Sequence, residues 1–226
     1  IARLSSSEGV KHLIHLSAIG ANKESESKSA RSKGEGEECV LKAFPTAVIL
    51  RPSIVFGAED SFFNRFSSMS RLSPFIPLVG AETIFQPVYV DDIAQAALIA
   101  ARGSVPSGIY ELGGPDKETF RVLMARMLQV IRRKNIIINT PMPIAKMMSF
   151  SFDALQIITF GMFKNVIITR DQVTQLIVDN VVTTDFGSFE DFKIRPKSMD
   201  AVLETYLYRY RPYGQYTSIH ESADSN

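Results

Sequence analysis

The sequence predicts an α/β fold built on buried parallel strands, and three observations lead there. Val10–Ser17 and Thr46–Leu50 are apolar runs of strand length. The polar stretch between them holds a helix, which Phe44-Pro45 ends because proline cannot continue it. Beyond Gly57, strand and helix signals go on alternating, the order expected of parallel β-α-β units.

The elements follow in order. Ile1-Ala2-Arg3-Leu4 reads as the end of an amphipathic helix that Gly9 stops. A natural chain rarely starts inside a helix, so residues upstream, or another chain, are expected to begin the fold. A targeting segment would belong to that part. Val10–Ser17 is the first strand, with His12 and His15 as exposed or core-edge side chains rather than a metal pair. Ala21–Ser32, rich in Ser, Lys and Glu, reads as a solvated loop leading into a helix. Lys33 and Glu37 stand four apart and are expected to pair on one helical face. Gly34 and Gly36 each weaken that helix by about 1 kcal/mol relative to Ala. Close approach of a backbone or of a ligand would explain a glycine there. Cys39 is expected to be a small packed side chain.

Thr46–Leu50 runs on into Arg51-Pro52-Ser53. Ser61–Phe66 is a helix, and a proline-rich connection follows at Pro74 and Pro77. Gln86–Ala94 resembles a motif of extended short-chain dehydrogenases, which implies a strand followed by a helix; Ala94–Arg102 has helical composition, and Gly103 stops it. Gly108–Pro115 is a short strand and turn. Phe120, Leu123, Met124, Met127, Leu128 and Ile131 have helical spacing within Thr119–Arg133.

The character changes from Pro141. Met147–Phe163 is rich in Met and Phe but is broken by Asp153 and flanked by Lys146 and Lys164. A bilayer span needs about 20 apolar residues. The segment is therefore expected to lie along a membrane surface or a membrane-bound partner, the alternative being a core helix. Thr169 and Asp171 mark a capped helix start, and Asp200–Tyr208 is a further helix. The alternating Tyr and Arg from Tyr206 to Tyr216 read as a solvated helix end, and His220–Asn226 as a polar tail. The expected division is 1–135, 136–216 and 217–226.

Composition narrows the function. Among 226 residues, 45% are apolar, enough for a real core. The formal net charge is +1 and the basic residues are scattered, which argues against nucleic acid as partner. The single cysteine excludes an internal disulfide and a cysteine-rich metal site; no metal ligands are assigned.

The richest pattern spans Ser17 to Gly57. A strand ends at Ser17-Ala18, a helix carries Lys33, and the next strand ends in Arg51-Pro52-Ser53. This resembles the second half of the nucleotide site in extended and atypical short-chain dehydrogenases. There the helix carries Tyr-x-x-x-Lys and Arg-Pro lies beside the nicotinamide. The fold this implies is the C-terminal half of a Rossmann-like doubly wound parallel sheet with a smaller, mostly helical C-terminal region. The glycine-rich phosphate loop is absent from the chain, and Gly113-Gly114 does not replace it. The tyrosine position, four before Lys33, is Ser29.

Other segments resemble a narrower group, the dehydrogenase-like accessory subunit family of mitochondrial respiratory complex I. They are Phe56-Gly57-Ala58-Glu59-Asp60, Gln86-Pro87-Val88-Tyr89-Val90 and Ile168-Thr169-Arg170-Asp171-Gln172-Val173, with Ser27 through Lys33, Gly36-Glu37 and Ala43-Phe44-Pro45. This resemblance implies a structural NADPH, with NAD(H) the less favoured cofactor, held by Ser17, Ala18, Lys33, Arg51, Pro52 and Ser53. It implies a non-catalytic subunit, without catalytic residues, on the matrix side of the inner membrane near the quinone site. Its partners would be other complex I subunits, the N-terminal half of the same fold, and membrane surface or lipid. An active reductase or epimerase and an NADP(H)-sensing regulator are the alternatives.

Overall fold

The computed structural model describes residues 1–141, 143 and 175–214. The apolar segment Met147–Phe163, the helix start at Thr169 and the polar tail lie outside the described residues. In chain order the strands are β1 (Ile14–Leu16), β2 (Val48–Pro52), β3 (Val55–Phe56), β4 (Phe75–Leu78), β5 (Ile84–Phe85), β6 (Val88–Tyr89), β7 (Gly108–Leu112), β8 (Glu118–Thr119) and β9 (Ile136–Asn139). The helices are α1 (Ala2–Ser7), α2 (Lys28–Ala43), α3 (Phe63–Leu72), α4 (Val90–Ala101), α5 (Phe120–Val130) and α6 (Met199–Leu207), followed by a 3-10 turn over Tyr208–Tyr210.

The main sheet runs β1-β2-β7, parallel throughout, with Ile14 opposite Val48 and Val48 opposite Gly108. The middle strand β2 buries Val48, Ile49 and Leu50 in succession, as a strand covered on both faces must. Gly187 forms a parallel bridge with Tyr110 on the outer edge of β7. The outer edge of β1 has no strand partner among the described residues, and Leu16 is 55% exposed. The strand expected to be buried is thus only partly covered, because covering it needs a neighbour on that edge.

Two cores result. One lies under α4, where Ile93, Ala96 and Ala100 pack with Val48, Leu50, Tyr110 and Leu112. The other gathers α3, α5 and α6 around Phe63, Phe66, Phe120, Leu123, Met127, Leu203 and Leu207. Rings of Phe62, Phe66, Phe85 and Phe120 meet there at centroid distances of 5.3–6.2 Å, partly edge to face.

Several local expectations change. α2 starts at Lys28 rather than after Ser32, because the Ser27 hydroxyl accepts the Ala30 N–H (3.3 Å) and caps it. Cys39 is exposed, not packed. It stands two residues, roughly 200° around the helix, from the buried Glu37. Pro74 and Pro77 do not mark a bare connection: β4 pairs in parallel with β9, and an edge strand tolerates proline. Within its described part, to Gly214, the Tyr–Arg run is only partly solvated: Tyr208 and Tyr213 are exposed, but other members are tied down. Tyr206 is 5% exposed, and its hydroxyl donates to Asp60 Oδ2 at 2.6 Å. Arg209 donates to Ala58 O and Asn64 Oδ1, and Arg211 to Val130 O. These bonds clamp α6 onto α5 and the loop before α3. Gly103 ends α4 in the left-handed region at φ +71°, with the His12 ring where a Cβ would sit.

Candidate functional site

The site forms where β1 and β2 end. Ladder bonds continue one step past each strand: Ser17 N–H donates to Leu50 O (2.8 Å), Ile19 N–H to Pro52 O (3.0 Å) and Ser53 N–H to Leu112 O (2.9 Å). Ser17-Ala18 and Pro52-Ser53 therefore stand side by side at the carboxyl ends of neighbouring parallel strands, where such sheets bind ligands. The first turns of α2 close one side. Between them lies a cleft of about 560 Å³ whose walls include Ala18, Lys33, Pro52 and Ser53. Ser29 lines it too, and among the described residues no tyrosine does.

Ser17, also assigned to the site from sequence, does not line the cleft; it lies behind it at the same end of β1, is 4% exposed, and its Oγ has no hydrogen-bond partner. An unpartnered buried hydroxyl is costly, so a polar group brought by a ligand would satisfy it. Lys33 carries no salt bridge among the described residues. His15 has a pKa below its ordinary 6.5: burial lowers it most, the Lys33 charge lowers it further, and Glu37 partly opposes. The imidazole is therefore kept neutral, with Nε2 buried and unpartnered. The choice left open at Gly34 resolves toward the backbone, since a Cβ there would overlap Asn22 and Lys23.

Arg51, assigned to the same site from sequence, does not line the cleft. Its guanidinium forks onto Glu37, Nε to Oε1 at 2.9 Å and Nη2 to Oε2 at 2.6 Å, and Nη1 lies 3.8 Å from Glu111. The Phe186 ring covers it at 4.7 Å. The expected Lys33–Glu37 pair is thus replaced. Glu37 faces inward toward β2, where a planar guanidinium matches both carboxylate oxygens and an ammonium matches one.

Residues 175–180 form a wall that sequence reasoning missed. Asn180 Oδ1 accepts from Ser53 Oγ (2.6 Å) and Ile54 N–H (3.2 Å). Its backbone is tied on both sides, N–H to Ile84 O and O to the Gln86 N–H. Gln175 Nε2 donates to Ser27 Oγ at 3.0 Å. No local signal marks these partners, because Asn180 lies 127 residues from Ser53. The Glu37–Arg51–Glu111 cluster did leave a signal: Arg51 and Glu111 are lone charges in otherwise apolar strands. Among the described residues, no group of acidic, His or Cys side chains is arranged to hold a metal.

The parallel sheet with its cleft at the strand ends has the form of a Rossmann-type α/β fold. Two solved structures share the fold. A nucleoside-diphosphate-sugar epimerase from Staphylococcus aureus superposes with a TM-score of 0.62 at 11% identity, over 91% of this chain and 67% of its own. A dTDP-glucose 4,6-dehydratase from Streptomyces venezuelae does so with a TM-score of 0.62 at 19% identity, over 92% of this chain and 62% of its own.

No family profile matches the chain. Curated relatives do. The chain is 35% identical to NADH dehydrogenase (ubiquinone) 1 alpha subcomplex subunit 9 of Arabidopsis thaliana, over 91% of this chain and 52% of the relative. It is 31% identical to the Mus musculus subunit of that name, over 94% of this chain and 55% of the relative. Over the span they share, the chain is similar to this mitochondrial complex I subunit. It spans about half the length of the curated relatives it matches.

Proposed function

We propose that this chain is a non-catalytic accessory subunit of mitochondrial complex I that holds an NADPH as a fixed part of its structure. Ser17, Ala18, Lys33, Pro52 and Ser53 would hold the nicotinamide-ribose end. The buried unpartnered Ser17 hydroxyl and the unpaired Lys33 on the cleft wall fit a ribose or carboxamide group. Arg51 acts behind them by fixing α2 against β2. When bound, the nucleotide supplies a hydride donor, and what this chain adds is position. The free edge of β1 is where further parallel strands and a phosphate-binding loop would join, as the N-terminal half of the same fold. The subunit would sit on the matrix face of the inner membrane, stabilising the junction of matrix and membrane arms near the quinone site. No described helix is long and apolar enough to cross a membrane, which fits a peripheral position.

The observation that carries the non-catalytic reading is Ser29 on the cleft wall, four residues before Lys33. A phenol beside a lysine ammonium is acidic enough to exchange a proton with a carbonyl at neutral pH; an aliphatic hydroxyl is not. Serine is also too short to reach where a phenol oxygen would lie. Binding survives this change and proton transfer does not.

The test is denaturation of the native protein followed by mass spectrometry of what it releases. NADPH stoichiometric with the chain is expected, and Lys33→Ala should weaken its retention by about 1.5–3 kcal/mol. Absence of any nicotinamide nucleotide overturns the binding reading. Sustained NADPH-dependent carbonyl reduction, lost in Lys33→Met, overturns the non-catalytic one.

A further inference from the structure

His15 lies behind the cleft, under α2. Side chains alternate along β1: Ile14 points to the core beneath α4, so His15 points to the other face, where α2 lies. A Cβ on Gly36 would meet His15 Nε2 at 3.8 Å, so the helix backbone rests close on the imidazole. That nitrogen is buried and has no hydrogen-bond partner. Lys33 stands three residues before Gly36, on the same side of α2 and about one turn nearer the cleft that it lines. Ser17, the other buried unpartnered group here, follows two residues along the same face of β1.

The charges around the ring come from several elements. From α2 they are Lys33 and Glu37. From β2 it is Arg51, whose side chain leaves the same face of the sheet, and beyond it Glu111 of β7 faces the guanidinium. α1, which packs on α2, carries the exposed Arg3. Asp91 and Asp92 begin α4, across the sheet from the ring. Glu37 is the carboxylate whose charge reaches His15, and Arg51 already takes both its oxygens. A proton on His15 would place a second cation beside Lys33 with its acidic neighbour engaged elsewhere. Burial and the Lys33 charge both act against that proton.

We propose that His15 is a positioning residue of the cofactor cleft: its neutral imidazole is the seat on which α2 rests, so it sets where Lys33 reaches, and a proton on the ring loosens the hold on the nucleotide. The inference rests on the cofactor reading of the cleft and adds control by pH to it. His15 does not line the cleft and acts through Lys33. When the ring is charged the two cations repel, and the ways open to them are withdrawal of the Lys33 ammonium and lifting of α2 off the ring. Either takes the ammonium from the ribose end. The coupling is reciprocal: a bound nucleotide that keeps Lys33 in place makes the ring harder to protonate. Well above the ordinary value of 6.5 the ring is neutral and the hold is full; it weakens as pH falls below that value.

The test follows release of NADPH from the native full chain, by its fluorescence, between about pH 7.5 and about pH 5.5. Wild type should lose retention by up to about tenfold per pH unit as the ring titrates, the most that one proton allows, and regain it when the pH is restored. In His15→Gln, whose side chain stays neutral, that slope should be lost. A ring that serves only as packing would shift retention equally at every pH. The nucleotide's own phosphate titrates in this range too, but alike in both proteins, so the difference between them is the readout. A second measurement needs no nucleotide. The His15 imidazole is titrated by proton NMR, its signal assigned by its loss in His15→Gln, in wild type and in Lys33→Met. Its midpoint should rise once the ammonium is gone. An unchanged midpoint, or a slope kept in His15→Gln, overturns this inference and leaves the cofactor reading standing. A native chain that releases no nicotinamide nucleotide overturns both.

Discussion

Replacing Arg51 with methionine separates a structural role from a ligand-binding one. The side chains of Arg51, Glu37 and Glu111 are only 11%, 6% and 4% exposed. Removing the guanidinium leaves two carboxylates in a space that water barely reaches. Breaking a buried pair from one side costs about 3–5 kcal/mol, because the remaining charge has lost its partner. The loss here should fall in the upper part of that range, since two acids depend on one cation. For a protein of this size each kcal/mol moves the melting temperature by about 2–4 °C, so a fall of roughly 6–20 °C is expected. Arg51→Lys keeps the charge but loses the fork onto Glu37, and should fall less. Adding Glu37→Gln to Arg51→Met should restore part of the loss. The assay is thermal unfolding of the full chain followed by circular dichroism, with nucleotide content measured on the same samples. A drop under about 2 °C would refute the reasoning from burial. Loss of nucleotide at an unchanged melting temperature would return Arg51 to the binding site.

Two further outcomes test the cleft's supports. Asn180→Ala removes the acceptor for Ser53 Oγ and Ile54 N–H, and should cost about 1–3 kcal/mol and speed nucleotide release; hydrogen exchange at Ile54 that matches the wild type would count against it. His15 has a lowered pKa in the folded chain, so protonation favours unfolding. Its contribution to stability is present above its ordinary value of 6.5 and is lost as pH falls below it. Urea midpoints at about pH 7.5 and about pH 5.5 should therefore converge in His15→Gln relative to wild type.

Much of the frame was legible because its signals are local. The apolar run at Val48–Leu50, the Gly103 stop and the apolar spacing within Thr119–Arg133 each act over short stretches, and β2, α4 and α5 follow from them. The placement of Ser17, Ala18, Pro52 and Ser53 at the ends of β1 and β2 was legible for the same reason. What failed depends on distant partners. β4 is a strand only because β9, about sixty residues later, supplies its ladder bonds, so its prolines read as a loop. The i,i+4 rule behind a Lys33–Glu37 pair describes an exposed helix face. Glu37 faces the sheet, and the rule does not hold there. Arg51 was placed with its neighbours Pro52 and Ser53, yet side chains alternate along a strand, and its partners Glu37 and Glu111 lie to the other side.

The wall made by residues 175–180 bears on why this cleft would hold a nucleotide rather than cycle it. An enzyme that releases product needs a wall that opens, and such walls usually come from weakly tied loops. Here Asn180 bonds through its backbone to Ile84 and Gln86 on one side and through its side chain to Ser53 and Ile54 on the other. A few residues on, Thr183 donates to Glu111 at 2.8 Å, and Gly187 continues the sheet beside Tyr110. Glu111 in turn faces Arg51, which holds α2 and with it Lys33. Opening the cleft by moving this strap would break backbone bonds and expose the buried acid–arginine cluster together. A ligand that enters as the strap is laid down then has no easy exit, and that arrangement suits a cofactor retained as structure.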